Sequence, residues 1–111
     1  MLQPAVKTVI ENHLETERPV VLDGDYILPE VLDGDPWRGR VRGVIVYEPE
    51  EAAIVRNLAA REPHAGEQTK RAQVSRLHGE WLREECARYG VPAVPARPWG
   101  SAVERVIAPA V

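Results

Sequence analysis

Residues 19–37 read PVVLDGDYILPEVLDGDPW, and one five-residue unit, Val-Leu-Asp-Gly-Asp, occurs in it at 21–25 and again at 31–35. How that duplication is read decides the fold. Pro19-Val-Val-Leu22 is a short, continuous apolar run that ends at Asp23-Gly24. An uninterrupted run suits a strand buried on both faces, as in a parallel sheet. Asp23 and Asp25 would then lie at the carboxyl end of that strand, where open α/β sheets place their ligands. The second copy follows Pro29-Glu30 and runs into Pro36-Trp37. Its spacing is too short for a strand–crossover–strand connection, which needs about a dozen residues. Asp33 and Asp35 are therefore expected in a surface loop, so that one copy is a motif and the other an echo.

Working outward, Pro4 followed by Val6, Val9, Ile10 and Leu14 predicts a short amphipathic helix that stops before Pro19. Val41–Tyr47 is a second strand candidate, and Glu48-Pro49-Glu50-Glu51 opens a helix with Ile54, Val55 and Leu58 facing inward. A long helix is expected from Glu67 to Tyr89, with Val74, Leu77, Trp81, Leu82, Cys86 and Tyr89 as its buried stripe. Gly90 and Pro92 end it. Val91–Ala96 is a third strand candidate, and Ser101-Ala-Val-Glu104 has the spacing of a capping box at a C-terminal helix. The order implies an α/β protein: a parallel sheet of about three strands with helices on both faces, in a single domain over residues 1–111.

Composition narrows the partners. The chain has 111 residues and a net charge of −3, which gives no argument for nucleic acid or for an anionic membrane. No apolar run reaches the ~18–20 residues of a membrane span, and a cytoplasmic protein is expected. Cys86 is the only cysteine, which leaves neither an internal disulfide nor a cysteine zinc cluster.

Two features carry candidate chemistry. The Asp23-Gly24-Asp25 unit is either a plain strand-to-turn transition or an acidic site for Mg²⁺ or proton removal. It lacks the fuller acidic pattern that a calcium loop requires. The basic series Arg56, Arg61, Lys70, Arg71 and Arg76 surrounds a polar stretch, Arg61–Glu67. Such charges are either a solvated face or a lid whose arginines clamp phosphates. His64 and His78 stand too isolated for a metal site.

In order and spacing, these segments resemble the P-loop small-molecule kinases. VVLDGDYILP resembles the strand end of adenylate kinase-like enzymes and of bacterial ATP-binding proteins related to 2-phosphoglycerate kinase. VRGVIVYEPEEAAIVRN resembles their next strand and the helix leading to the lid. The stretch from Arg61 to Trp99 resembles the lid, the long helix, the last strand and the nucleotide-base loop. The resemblance implies a partial P-loop NTPase fold, the C-terminal half of a kinase-like domain. It implies phosphoryl transfer from ATP with Mg²⁺ to a small-molecule acceptor. Asp23 would assist Mg²⁺ or the acceptor hydroxyl, and Asp25 would contact the acceptor. Arg56, Arg61, Lys70 and Arg71 would neutralise the moving phosphoryl group, and Arg97, Pro98 and Trp99 would contact the base.

The departure is the phosphate cradle. No glycine begins G-x-x-x-x-G-K-S/T, and Lys70 has no glycine before it. The chain is therefore expected to be inactive alone, and the competing reading is a non-enzymatic remnant or interaction module. Without the central P-loop strand, either the strands at 20–22 and 41–47 pair directly or another segment fills the gap, which makes a homodimer or a separate N-terminal segment an expectation.

Overall fold

A computed structural model describes residues 2–110, with the side chains of 109 and 110 left aside. Helix α1 spans Gln3–Glu15, with proline in its first turn, where a missing N–H costs nothing. Val6 and Ile10, one turn apart, are buried against Val31, and Leu14, Ile27, Leu32, Trp37 and Val41 close around them. Gln3 is buried as well and staples the following loop: its Nε2 donates to the Tyr26 carbonyl at 2.7 Å and its Oε1 accepts from the Leu28 N–H at 3.2 Å.

Three strands were expected and two form. Strand β1 is Ile45–Tyr47 and strand β2 is Ala93–Pro95, paired in parallel with Ile45 opposite Ala93 and Tyr47 opposite Pro95. The run Pro19–Leu22 makes no strand. Val20, Val21 and Leu22 are 45%, 93% and 38% exposed, and no strand lies beside them. Its β-favouring residues do not form a strand without a neighbour to pair with. β1 is also shorter than expected, starting only at Ile45; ahead of it Gly43 passes close to Leu32, where a Cβ would come within 2.7 Å of Leu32 Cδ1.

Helix α2, Glu51–Arg61, packs on helix α3, Thr69–Tyr89, which lies against β1 and the 3-10 turn Pro29–Leu32. The buried positions at these contacts are mostly small: Ala53 and Leu58 on α2, Ala72 and Cys86 on α3. Gly90 adopts the left-handed conformation (φ 68°, ψ 28°) that stops α3, as its position after Tyr89 implied. The α3 stripe departs from expectation at its middle. Val74, Leu77 and Trp81 are 66%, 49% and 41% exposed, so Trp81 is not a core residue. Helix α4, Ala102–Ala110, closes the described chain after a 3-10 turn at Trp99–Ser101. Among the described residues, no helix is long and apolar enough to cross a membrane.

Candidate functional site

The two Asp-Gly-Asp units lie in loops. Asp33 and Asp35 are exposed, as expected. Asp35 has a turn role of its own: with φ 48°, its Oδ1 accepts the Gly39 N–H at 2.8 Å. Asp23 was expected at the carboxyl end of a strand; that strand does not form, and Asp23 is exposed in a loop. Asp25 is exposed beside it. Among the described residues, no three His, Cys, Asp or Glu side chains converge to hold a metal ion.

The carboxyl ends of β1 and β2 do converge. Parallel strands deliver their following loops to one side, and here Glu48–Glu50 leaves β1 next to Arg97–Trp99 leaving β2. Between them is an open cleft of about 580 Å³, lined by Glu48, Pro49 and Glu50 on one side and Pro95, Arg97, Pro98 and Trp99 on the other. That volume lies in the ordinary range for a small-molecule site.

Arg97 ties the two loops together. Its Nε donates to Glu48 Oε1 at 2.5 Å and its Nη2 donates to Glu48 Oε2 at 3.2 Å, a two-point fork on one carboxylate. The same Nη2 lies 3.0 Å from Glu50 Oε2. The hydrogen bond from Arg97 holds the Glu48 carboxyl below its usual range, and Arg56 is near enough to add a smaller pull. In return, Glu48 and then Glu50 push the Arg97 pKa upward. Behind the loop, Arg105 donates to the carbonyls of Pro95, Ala96 (3.1 Å) and Pro98 (2.7 Å), and its Nε donates to Ser101 Oγ at 3.0 Å. Ser101 thus serves Arg105 through the oxygen that the capping-box reading assigned to the helix. Trp99 is left 64% exposed at the cleft.

Of the residues singled out from sequence, Arg97, Pro98 and Trp99 are brought together, with Arg56 nearby. Arg61 and Lys70 are exposed elsewhere on the α2–α3 face. Arg71 is already engaged, donating to Glu62 Oε2 at 2.5 Å and to Gln68 Oε1 at 3.0 Å, so it bridges the polar stretch expected to be a lid. That bond holds the Glu62 carboxyl low. Arg76 pairs with Glu51 and Glu80. Sequence reasoning missed Glu48, Glu50 and Arg105. Glu48 and Glu50 read as helix-opening acids, whereas their place just after a parallel strand is a ligand-site signal.

Comparison with known proteins gives no match: no protein-family model fits the chain, and neither a curated protein nor a solved structure matches it.

Proposed function

We propose that this chain is the acceptor, lid and base-binding part of an ATP-dependent small-molecule kinase fold, silent in phosphoryl transfer until a strand, phosphate loop and helix complete it. The observation that carries this reading is the asymmetry of the two-stranded sheet. On the far side of β2, Pro95 lacks an N–H donor and Arg105 takes its carbonyl. That edge is poorly suited to further pairing. β1 uses the Ile45 N–H and the Tyr47 carbonyl toward the β2 segment. Alternation along a parallel ladder then turns the Val46 N–H and carbonyl to its open side. The strand-like run Val20–Leu22 also waits unpaired. A parallel strand between Val20–Leu22 and β1 would satisfy both, and it would bring Asp23 and Asp25 to the carboxyl end that already holds Arg97 and Trp99.

The phosphate loop would supply the backbone cradle and lysine that this sequence lacks. Bound Mg²⁺ would neutralise charge on the β- and γ-phosphates, with Asp23 as the only carboxylate the sequence reading assigned to it. For the chain alone the non-catalytic reading rests on the missing phosphate cradle, since no glycine begins G-x-x-x-x-G-K-S/T.

The test is Mg·ATP binding and turnover by the 111-residue chain, with and without a fused strand–P-loop–helix segment from a small-molecule kinase. The chain alone should show no turnover, since losing even one donor to developing charge costs ~10²–10³ in rate. The fusion should bind Mg·ATP saturably. Turnover by the isolated chain that survives Asp23→Asn would sink the proposal.

A further inference from the structure

Helix α3 has an inward face that the chain uses and an outward face that it leaves in water. Ala72, Gly79 and Cys86 share the inward face: Ala72 and Cys86 are buried, and a Cβ at Gly79 would lie 3.7 Å from Tyr47 Cβ. On the opposite face, at alternating steps of four and three, run Lys70, Val74, Leu77, Trp81 and Glu84. All five are exposed. Such a stripe is the spacing by which one helix packs on another. Its charges are unspent only at its ends. The other acidic and basic side chains of α3 are engaged within the chain, in ion pairs or, for Arg83, over the Tyr47 ring. Lys70 and Glu84 make no ion pair among the described residues. Leu77 lies midway between them, with Val74 and Trp81 on either side. The stripe is therefore complementary to its own reverse, which is what a two-fold interface requires.

We infer that α3 pairs antiparallel with α3 of a second copy of this chain, across a two-fold axis at Leu77. Leu77 then packs on its own counterpart, Val74 on the partner's Trp81, and Lys70 faces the partner's Glu84. The two helix dipoles run in opposite directions, which also favours the pair. From Lys70 to Glu84 the stripe is about 21 Å long at 1.5 Å per residue. An interface of one helix pair stands at the low end of specific contacts, so the dimer forms and dissociates with concentration. This surface is not the β1 edge, because it is on the face of α3 turned away from Tyr47. The inference does not rest on the kinase reading.

The test is sedimentation equilibrium of the 111-residue chain from about 10 μM to about 1 mM, where monomer should give way to dimer. Leu77→Glu sets two carboxylates face to face on the axis and should weaken association by about tenfold or more. Lys70→Glu and Glu84→Lys each make both end contacts repulsive, and each alone should weaken association roughly tenfold. Mixed in equal amounts, these two variants should associate as tightly as the unaltered chain, because every contact between positions 70 and 84 then joins opposite charges. Circular dichroism checks that each variant is folded; if Leu77→Glu is not, the mixing experiment decides alone. A chain that stays monomeric over the whole range overturns the inference and leaves the stripe to a different partner. Association that Leu77→Glu and both charge reversals leave unchanged also overturns it, since the copies would then meet on another surface. Reversals that weaken association without recovery on mixing overturn the antiparallel register.

Discussion

At the scale of single residues, Glu48 is the side chain on which the cleft depends most. It is the most deeply placed carboxylate of the cleft, and Arg97 reaches it with two donors across 49 positions of sequence. Replacing it by Gln removes the charge and one good acceptor, and leaves Arg97 with the more exposed Glu50. We expect Glu48→Gln to cost about 1–2 kcal/mol at neutral pH, the scale of a hydrogen bond to a charged group with partial exposure. The pH dependence has a definite sign. The folded-state pKa of Glu48 is depressed below 4.5. Its stabilisation is therefore full above the unfolded value and is lost as pH falls through the folded one. The gap in melting temperature between the native chain and Glu48→Gln, followed by circular dichroism, should be widest at neutral pH and should narrow as pH falls through the depressed folded-state pKa of Glu48. A gap that stays constant over that range would mean the pair contributes shape without charge.

At the scale of elements, α3 shows how much of this fold the sequence carries. Its ends are local facts, and so they were legible: Gly90 is left-handed and Pro92 follows. Cys86 is buried in the expected register, with its thiol pKa pushed up by burial. What periodicity cannot state is what covers a stripe. Val74, Leu77 and Trp81 share the spacing of Cys86 but stay largely exposed; Trp81 stacks on His78 with ring centroids 5.8 Å apart and lines a small cavity with Leu28 and Pro29. Trp81→Ala should therefore cost about 1–2 kcal/mol in urea denaturation, well under the ~3–5 kcal/mol of a buried large aromatic. A loss in the larger range would place Trp81 in a core that the structure does not show. The same limit explains Pro19–Leu22. Its composition favours a strand, but pairing is a property of two segments, and among the described residues no strand pairs with it. The Arg97–Trp99 loop was singled out through the family resemblance, and it lines the cleft at the end of β2. Its partners Glu48 and Glu50 were not, since helix-opening acids and site acids look alike until β1 and β2 are placed side by side.

At the scale of the whole molecule, the chain is more open than its length requires. The radius of gyration is 15.7 Å. About 13 Å is usual for a domain of this size. The accessible surface is 7971 Å². A compact monomer of this mass exposes roughly 6,100 Å². The excess includes the uncovered Val20–Leu22 run and the half-exposed Val46 of β1, the positions that a strand inserted between them would cover. If the proposed completion is right, fusing a strand–P-loop–helix segment should raise the melting temperature by more than the added chain alone explains, because it covers apolar surface now in water. Small-angle scattering should show little growth in radius of gyration despite the greater mass. Val46→Pro separates edge pairing from general stabilisation. It removes an N–H that β2 does not use, so the isolated chain should keep its fold, whereas the fusion should lose most of its gain. A fusion whose stability is indifferent to Val46→Pro would show that the added segment docks away from β1. The sheet would then grow from some other edge, and the assignment of Asp23 and Asp25 to the acceptor side would fall with it.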